Sequence, residues 1–238
     1  MSIHINAKKN EIARIVILSS DPKRMEFMAY KFLTNVKQVS NLRNQNFFTG
    51  EYKGKKVTFG SHGMGQYAAG TIATELIVEY GVDVLIRCGS ASSYISDINL
   101  LDTIIINRAY SDNLAVSRLV NNELSHVYYP NKILTESLEE SAKQLKIPYR
   151  LESIHSADVY YSNRSISETI DETNSTVVDG ESFAIFAVAK RYDKKAAAVL
   201  QISDNLPNME YIDSLAREQG IIKNFEIVLE TISNNKTL

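Results

Sequence analysis

Nearly continuous apolar runs rich in Val and Ile recur along this chain: IARIVILS (12–19), VDVLIRCGSAS (82–92), DTIIINRA (102–109) and AAAVLQIS (196–203). A strand with one face in water alternates apolar with polar residues. An unbroken run marks a strand covered on both faces, as in a mainly parallel sheet with helices packed on either side. The segments between these runs have helical spacing, so strands and helices alternate and the expectation is an α/β fold.

The boundaries carry their own signals. After the first run, SSDPKR places Asp21 as a helix N-cap and Pro22 in the first helical position, which puts Met25, Met28, Ala29 and Phe32 on one buried face. QNFFTGEYKGKKVTFGSHGMG (45–65) reads as a hairpin: an aromatic strand, a Gly-Lys turn, a second strand, then a glycine turn. QYAAGTIATELIVEYG is a helix closed by Gly81, and TESLEESAKQL and ESFAIFAVAKRY have helical spacing. DSLAREQGIIKNFEIVLETI is expected to form one long terminal helix with Leu215, Ile221, Ile222, Phe225, Val228, Leu229 and Ile232 inward. No repeat or linker interrupts the pattern, and residues 1–238 are expected to form one domain.

Charge and cysteine content narrow the function. Twenty-six basic against 28 acidic residues give a net charge of −2, with no long block of either sign. Nucleic acid and anionic membranes both call for a basic stripe, and none is present. Cys88 is the only cysteine, so no intrachain disulfide or thiolate metal site can form. His4, His62, His126 and His155 have no metal-ligand spacing. The N-terminal stretch has no apolar signal core, and no apolar run reaches the roughly 18 to 20 residues of a membrane span; a cytoplasmic location is expected.

In such folds chemistry gathers where loops leave the carboxyl ends of the strands. The polar residues there are Asp21 and Arg24, HGMG (62–65), RCGSAS (87–92), DGES (179–182) and SDN (203–205). Asp21 reads as a cap, and Arg24 by itself as a first-turn surface charge. Arg87 directly follows Val84, Leu85 and Ile86, and a buried arginine needs an anion or several acceptors. With Gly89 and Ser90 beside it and Arg24 near a helix N-terminus, an oxyanion or phosphate pocket is a second reading. Asp204 stands at the mouth of the sheet as either a turn cap or a site carboxylate, and Glu181 as either a first-turn helix acid or a ligand. Cys88 reads as a small core hydrophobe.

HINAKKNEIARIVILSSDPKR, NLRNQNFFTGEYKGKKV, HGMG, LIRCGSAS, SADVYYS, VVDGES, QISDN and LAREQ occur in the order and spacing of the hexameric, bacterial-type purine nucleoside phosphorylases. The chain resembles this family, within the nucleoside phosphorylase superfamily, over nearly its whole length. The resemblance implies a single-domain, three-layer fold whose central mixed, mainly parallel sheet is flanked by helices. It also implies a pentosyltransferase that uses phosphate as co-substrate, needs no cofactor or metal, and assembles as a homohexamer.

By that resemblance phosphate meets Ser20, Arg24, Arg87 and Ser90, with Arg43 supplied by a neighbouring subunit. The ribose meets Glu181, Met64 and position 180, with His4 from the neighbour. The base stacks on Tyr160 beside Val178 and Ser203, and Asp204, assisted by Arg217, protonates the purine. Because Arg217 would lower the pKa of Asp204, it is expected to close on Asp204 only with substrate bound. The sequence departs from the family at Ser20, which replaces a glycine, and in VVDGES, where the usual V-E-M-E becomes Val178-Asp179-Gly180-Glu181 and the methionine that covers the sugar is lost. Asp179 gains no role. A nucleosidase using water, a uridine phosphorylase and a catalytically silent nucleoside-binding protein are the rival functions. The three candidate phosphate arginines argue against the first, and the missing Gln-x-Arg clamp near SADVYYSNRS against the second.

Overall fold

The structure, a computed structural model, describes residues 2–235. Its strands are β1 (Ile15–Ser19), β2 (Thr34–Ser40), β3 (Phe47–Tyr52), β4 (Lys55–Ser61), β5 (Val84–Ser93), β6 (Thr103–Tyr110), β7 (Val127–Tyr128), β8 (Tyr149–Ser156), β9 (Val177–Asp179), β10 (Lys195–Asn205) and β11 (Glu210–Tyr211). Its helices are α1 (Pro22–Phe32), α2 (Gln66–Tyr80), α3 (Ala115–Asn121), α4 (Lys132–Gln144), α5 (Ile166–Thr173), α6 (Ser182–Arg191) and α7 (Lys223–Asn234). No helix among the described residues is long and apolar enough to cross a membrane.

All strands belong to one mixed sheet, ordered β11-β10-β6-β8-β9-β5-β1-β4-β3-β2, with β7 on β6. A further ladder joins β10 to β5 in parallel, so β5, β10, β6, β8 and β9 close into a ring. Closure removes free edges at the heart of the sheet and crowds the carboxyl ends of β5 and β10 together with β9. The unbroken apolar runs follow from cover on both faces. Along β1, Val16 and Leu18 point into a core with α2 and α6, while Ile15 and Ile17 point into another with α1 and α7.

The start of α1 is as expected: the Asp21 side chain accepts from the backbone N–H groups of Lys23 and Arg24, a cap worth about 1 kcal/mol. Met25, Met28 and Ala29 are buried and Phe32 is partly so. The hairpin forms, but its two-residue turn is Lys53-Gly54, both at positive φ, with Tyr52 opposite Lys55. That is the turn geometry whose twist matches paired strands.

The terminal segment departs from expectation. A wide turn with π-type bonding, Ala216–Gly220, precedes α7, so the helix is not continuous. Leu215 is 63% exposed, while Ile221, Phe225, Val228, Leu229 and Ile232 are buried and Ile222 is partly so. Such wide turns re-aim side chains and gather at functional sites. Here the turn carries Arg217.

Candidate active site

Two arginines lie buried at the ends of β1 and β5. Arg24 is 3% exposed, so it is not the surface charge its helical position suggested. Its Nη1 donates to Ser19 Oγ at 3.1 Å and its Nε to the Arg217 carbonyl at 2.8 Å. The closest carboxylate, Asp21, stands 4.0 Å away. Burial, with Arg87 and Arg217 nearby, brings the Arg24 guanidinium down to about 10, while Asp21 works the other way. A buried cation with so little counter-charge is a site for an anion.

Arg87 is engaged on two of its three nitrogens. Nε donates to Asp179 Oδ2 at 2.7 Å and Nη2 pairs with Glu181 Oε2 at 2.5 Å, whereas Nη1 is buried with no hydrogen-bond partner among the described residues. A Cβ added at Gly89 would lie 2.8 Å from that Nη1 and 3.5 Å from Ser19 Oγ. Gly89 therefore keeps open the contact zone where Arg87, Ser19 and, through Ser19, Arg24 converge. Ser90 follows on β5 opposite Gln201, and Ser20, half-buried, joins β1 to the Asp21 cap.

Glu181 and Asp179 stand at the seam between β9 and α6. Glu181 Oε1 accepts the Gly65 N–H at 2.8 Å, which ties the carboxylate to the glycine turn of HGMG. Burial and the Asp179 charge push its pKa up, against the pull of Arg87. Asp179 goes the other way. Burial is outweighed by Arg87, Ser182 and Ser156, and its carboxyl is held below the usual range. Met64 is 86% exposed in the same turn, and Gly180 lies between the carboxylates with ordinary space for a Cβ, 3.6 Å from Gly65 Cα.

Asp204 owes its position to a bulge. β10 pairs with β5 through Ile202 opposite Ala91, then skips Ser203 and resumes with Asp204 opposite Ser92. Bulges of this kind turn a side chain out of strand register next to active sites. The carboxylate accepts from Ser203 Oγ at 2.7 Å, Ser92 Oγ at 3.1 Å and Arg217 Nη1 at 3.2 Å, and from Arg217 Nη2. Burial raises its pKa, but Arg217 and the serine hydroxyls outweigh that and hold Asp204 below the usual carboxylate range. Arg217 and Asp204 are thus paired in this structure. The Arg24 bond to the Arg217 carbonyl explains it, because it fixes the turn that presents the guanidinium.

Val178 pairs with Ser92 on β5 and His155 on β8, so it sits between the Asp204 region and the SADVYYS loop. That loop is fastened at both ends. Asp158 accepts from Gln66 at 3.0 Å and Asn113 at 2.8 Å, and Arg164 pairs with Asp112 at 2.9 Å. Between these anchors Tyr160 is 75% exposed and meets Tyr161 edge-to-face at 5.0 Å.

His4 and Arg43 stand apart. His4 Nδ1 lies 2.7 Å from Glu75 Oε1, and Arg43 is exposed in the single turn Leu42–Asn44. None of their hydrogen bonds or ion pairs within the described residues reaches Arg24, Arg87, Glu181 or Asp204.

Sequence reasoning passed over Ser19, Gly89 as a spacer, Asp179 and His62. His62 is fully buried, its Nδ1 donates to the Gly63 carbonyl at 2.6 Å, and its Nε2 has no partner among the described residues. Burial and the neighbouring Arg87 drive its pKa down to about 3, so it is neutral. Ser19 had no signal beyond adjacency to residues already singled out, whereas Asp179 stood among the strand-end polar residues without a role.

The fold and the site define a known class. The profile of the Phosphorylase superfamily matches residues 14–233, and the chain belongs to that family. It is 35% identical over 232 residues to the Purine nucleoside phosphorylase DeoD-type 2 of Vibrio vulnificus, covering 97% of this chain and 98% of that one. It is 31% identical over 233 residues to the DeoD-type enzyme of Haemophilus ducreyi, covering 98% of each. In fold it is similar to a purine nucleoside phosphorylase from Toxoplasma gondii solved with immucillin-H, with a TM-score of 0.86, 20% identity and coverage of 98% of this chain and 96% of that one. A 5'-methylthioadenosine/S-adenosyl homocysteine nucleosidase from Campylobacter jejuni has the same fold, with a TM-score of 0.81, 16% identity and coverage of 94% and 100%.

Proposed function

We propose that this protein is a purine nucleoside phosphorylase that exchanges the base of a purine (deoxy)ribonucleoside for phosphate, releasing free base and (deoxy)ribose 1-phosphate. The observation that carries phosphate as the attacking group is buried Arg24, whose paired carboxylate among the described residues, Asp21, lies 4.0 Å away, beside an Arg87 with one nitrogen unpartnered among them. The relatives that match along nearly the whole chain bear the same activity in their names.

Breaking an N-glycosidic bond builds positive charge on the sugar and negative charge on the departing purine. In this reading Arg24, Arg87, Ser90 and the backbone at Ser20 hold phosphate against one face of the sugar. Glu181 accepts the vicinal hydroxyls and fixes the ring for in-line attack, with Met64 and position 180 over the sugar. The base rests against Val178, Ser203 and Tyr160, and Asp204 delivers the proton. Because four donors keep Asp204 ionised at rest, proton uptake is coupled to release of its contact with Arg217. Homo-oligomerisation, as a hexamer, brings His4 to the ribose and Arg43 to the phosphate of a neighbouring site; a monomer by sedimentation would remove both assignments.

The test is base release from inosine, adenosine and uridine with and without phosphate. Phosphate-dependent release from the purine nucleosides is expected. Release that ignores phosphate means a nucleosidase, release from uridine alone a uridine phosphorylase, and binding without turnover a silent nucleoside-binding protein.

A further inference from the structure

Asp179 has no part in the chemistry just described, yet it accepts from as many donors as Asp204 does. Its Oδ1 accepts from Ser156 Oγ at 2.7 Å, and its Oδ2 accepts from Ser182 Oγ at 2.6 Å, Ser182 N at 3.1 Å and Arg87 Nε at 2.7 Å. Ser156 is itself fixed, since its Oγ accepts the Phe183 N–H at 2.9 Å. The carboxylate cannot rotate without breaking several of these bonds. It is also buried with Arg87 and Glu181, away from the dielectric that would weaken them.

A guanidinium is a rigid planar fork, so fixing Nε and one Nη sets the direction of the other. Here Asp179 fixes Nε and Glu181 meets Nη2, leaving Nη1 directed at the space that Gly89 keeps open. We propose that Asp179 is a positioning residue that orients Arg87 as a single bridge between the phosphate subsite, through Nη1, and the sugar subsite, through Nη2 and Glu181. This rests on the phosphorolysis reading above and assigns how its two subsites communicate.

The bridge differs from plain packing in its electrostatics. Glu181 faces Arg87 of β5 and Asp179 of β9, with backbone donors at Gly65 and Gly180, while the neutral His62 after β4 and Arg24 of α1 lie against Arg87. Among these the Asp179 charge raises the Glu181 pKa, whereas Arg87 lowers it. Neutralising Asp179 therefore lowers the Glu181 pKa and moves the acid limb of nucleoside binding to lower pH.

The test uses the full chain carrying Asp179→Asn or Asp179→Glu, with phosphate Kd by calorimetry and the pH profile of kcat/KM for inosine. For Asp179→Asn, phosphate affinity should fall about tenfold, as for loss of one charge-assisted hydrogen bond, and the acid limb should move down. Asp179→Glu should restore the limb. A folded Asp179→Asn chain whose phosphate Kd and acid limb both match wild type overturns the proposal, as does a limb that Asp179→Glu fails to restore. If Asp179→Asn does not fold, Ser156→Ala loosens the same carboxylate: a phosphate affinity lower by about threefold supports the bridge, and an unchanged one overturns it. A wild-type chain that releases no base defeats the phosphorolysis reading instead, and the orientation of Arg87 is then read from the phosphate Kd alone.

Discussion

Gly180 offers a direct trial of how the sugar is covered. It lies between Asp179 and Glu181, and a Cβ built there meets Gly65 Cα and N at 3.6 Å and the Ala157 carbonyl at 3.7 Å, all ordinary contacts. Its φ is not in the left-handed region, so Gly180→Met introduces no backbone strain. Fully burying a methionine side chain is worth about 1.5–3 kcal/mol, and one that covers a bound sugar on one side gains about half the lower figure or a little more. About 1 kcal/mol corresponds to about a fivefold lower KM for inosine. The substitution also restricts the unfolded chain, so thermal stability should hold or rise. The assay is steady-state phosphorolysis with each substrate varied in turn. Phosphate KM should stay put, because the new side chain lies on the Gly65 side of the seam and not on Arg24 or the free nitrogen of Arg87. A folded variant whose inosine KM is unchanged or higher refutes the placement of residue 180 over the sugar.

Gly89→Ala sets a methyl 2.8 Å from Arg87 Nη1; phosphate affinity should fall about tenfold by calorimetry, with nucleoside binding little altered. Arg217→Ala removes the main group that holds the Asp204 pKa down. If protonated Asp204 is the acid, the limb of kcat lost as pH rises should move to higher pH in the variant; an unmoved limb excludes that role. His62 titrates near 6.5 unfolded and about 3 folded, so the unfolded chain takes up its proton first and stability falls as pH drops through 6.5. The loss at pH 4.5 is about 3 kcal/mol from this group, so His62→Asn should make the acid dependence of urea unfolding shallower between pH 7 and 4.5.

The elements that read clearly in the sequence are those in which local chemistry and burial agree. Asp21 and Pro22 fix the start of α1 through local capping, and β1, β5 and β10 carry near-continuous apolar runs because helices cover both faces. β2 and β8 passed unnoticed for the converse reason. β2, TNVKQVS, pairs at the outer edge of the sheet, and only Ser40 in it is buried. β8, YRLESIHS, is half-buried over its first residues, so polar positions dilute its strand pattern. The break before α7 is likewise invisible in composition, because Leu215 and the Ile221–Ile232 stretch share a helical period that only the wide turn at Ala216–Gly220 interrupts.

The site was legible as a set of strand-end residues but not as a circuit. Arg87 could be picked out, since a guanidinium following three buried aliphatic residues must be answered by acceptors. Which acceptors answer it depends on ring closure: β9 reaches β5 only because β8, β6 and β10 complete the circle, and this alone brings Asp179 and Glu181 to Arg87. Asp204 is similar. Its neighbours in sequence suggest a turn cap, whereas the skipped Ser203 in the β10 ladder turns the carboxylate toward Ser92 and Arg217. Long-range pairing thus converts Arg87, Asp179 and Glu181, each explicable alone as a structural residue, into one electrostatic unit, and joins Asp204 to Arg217. Its members are shared between subsites, so single substitutions should change KM for both substrates unless they fall, as Gly180 and Gly89 do, on opposite sides of Arg87.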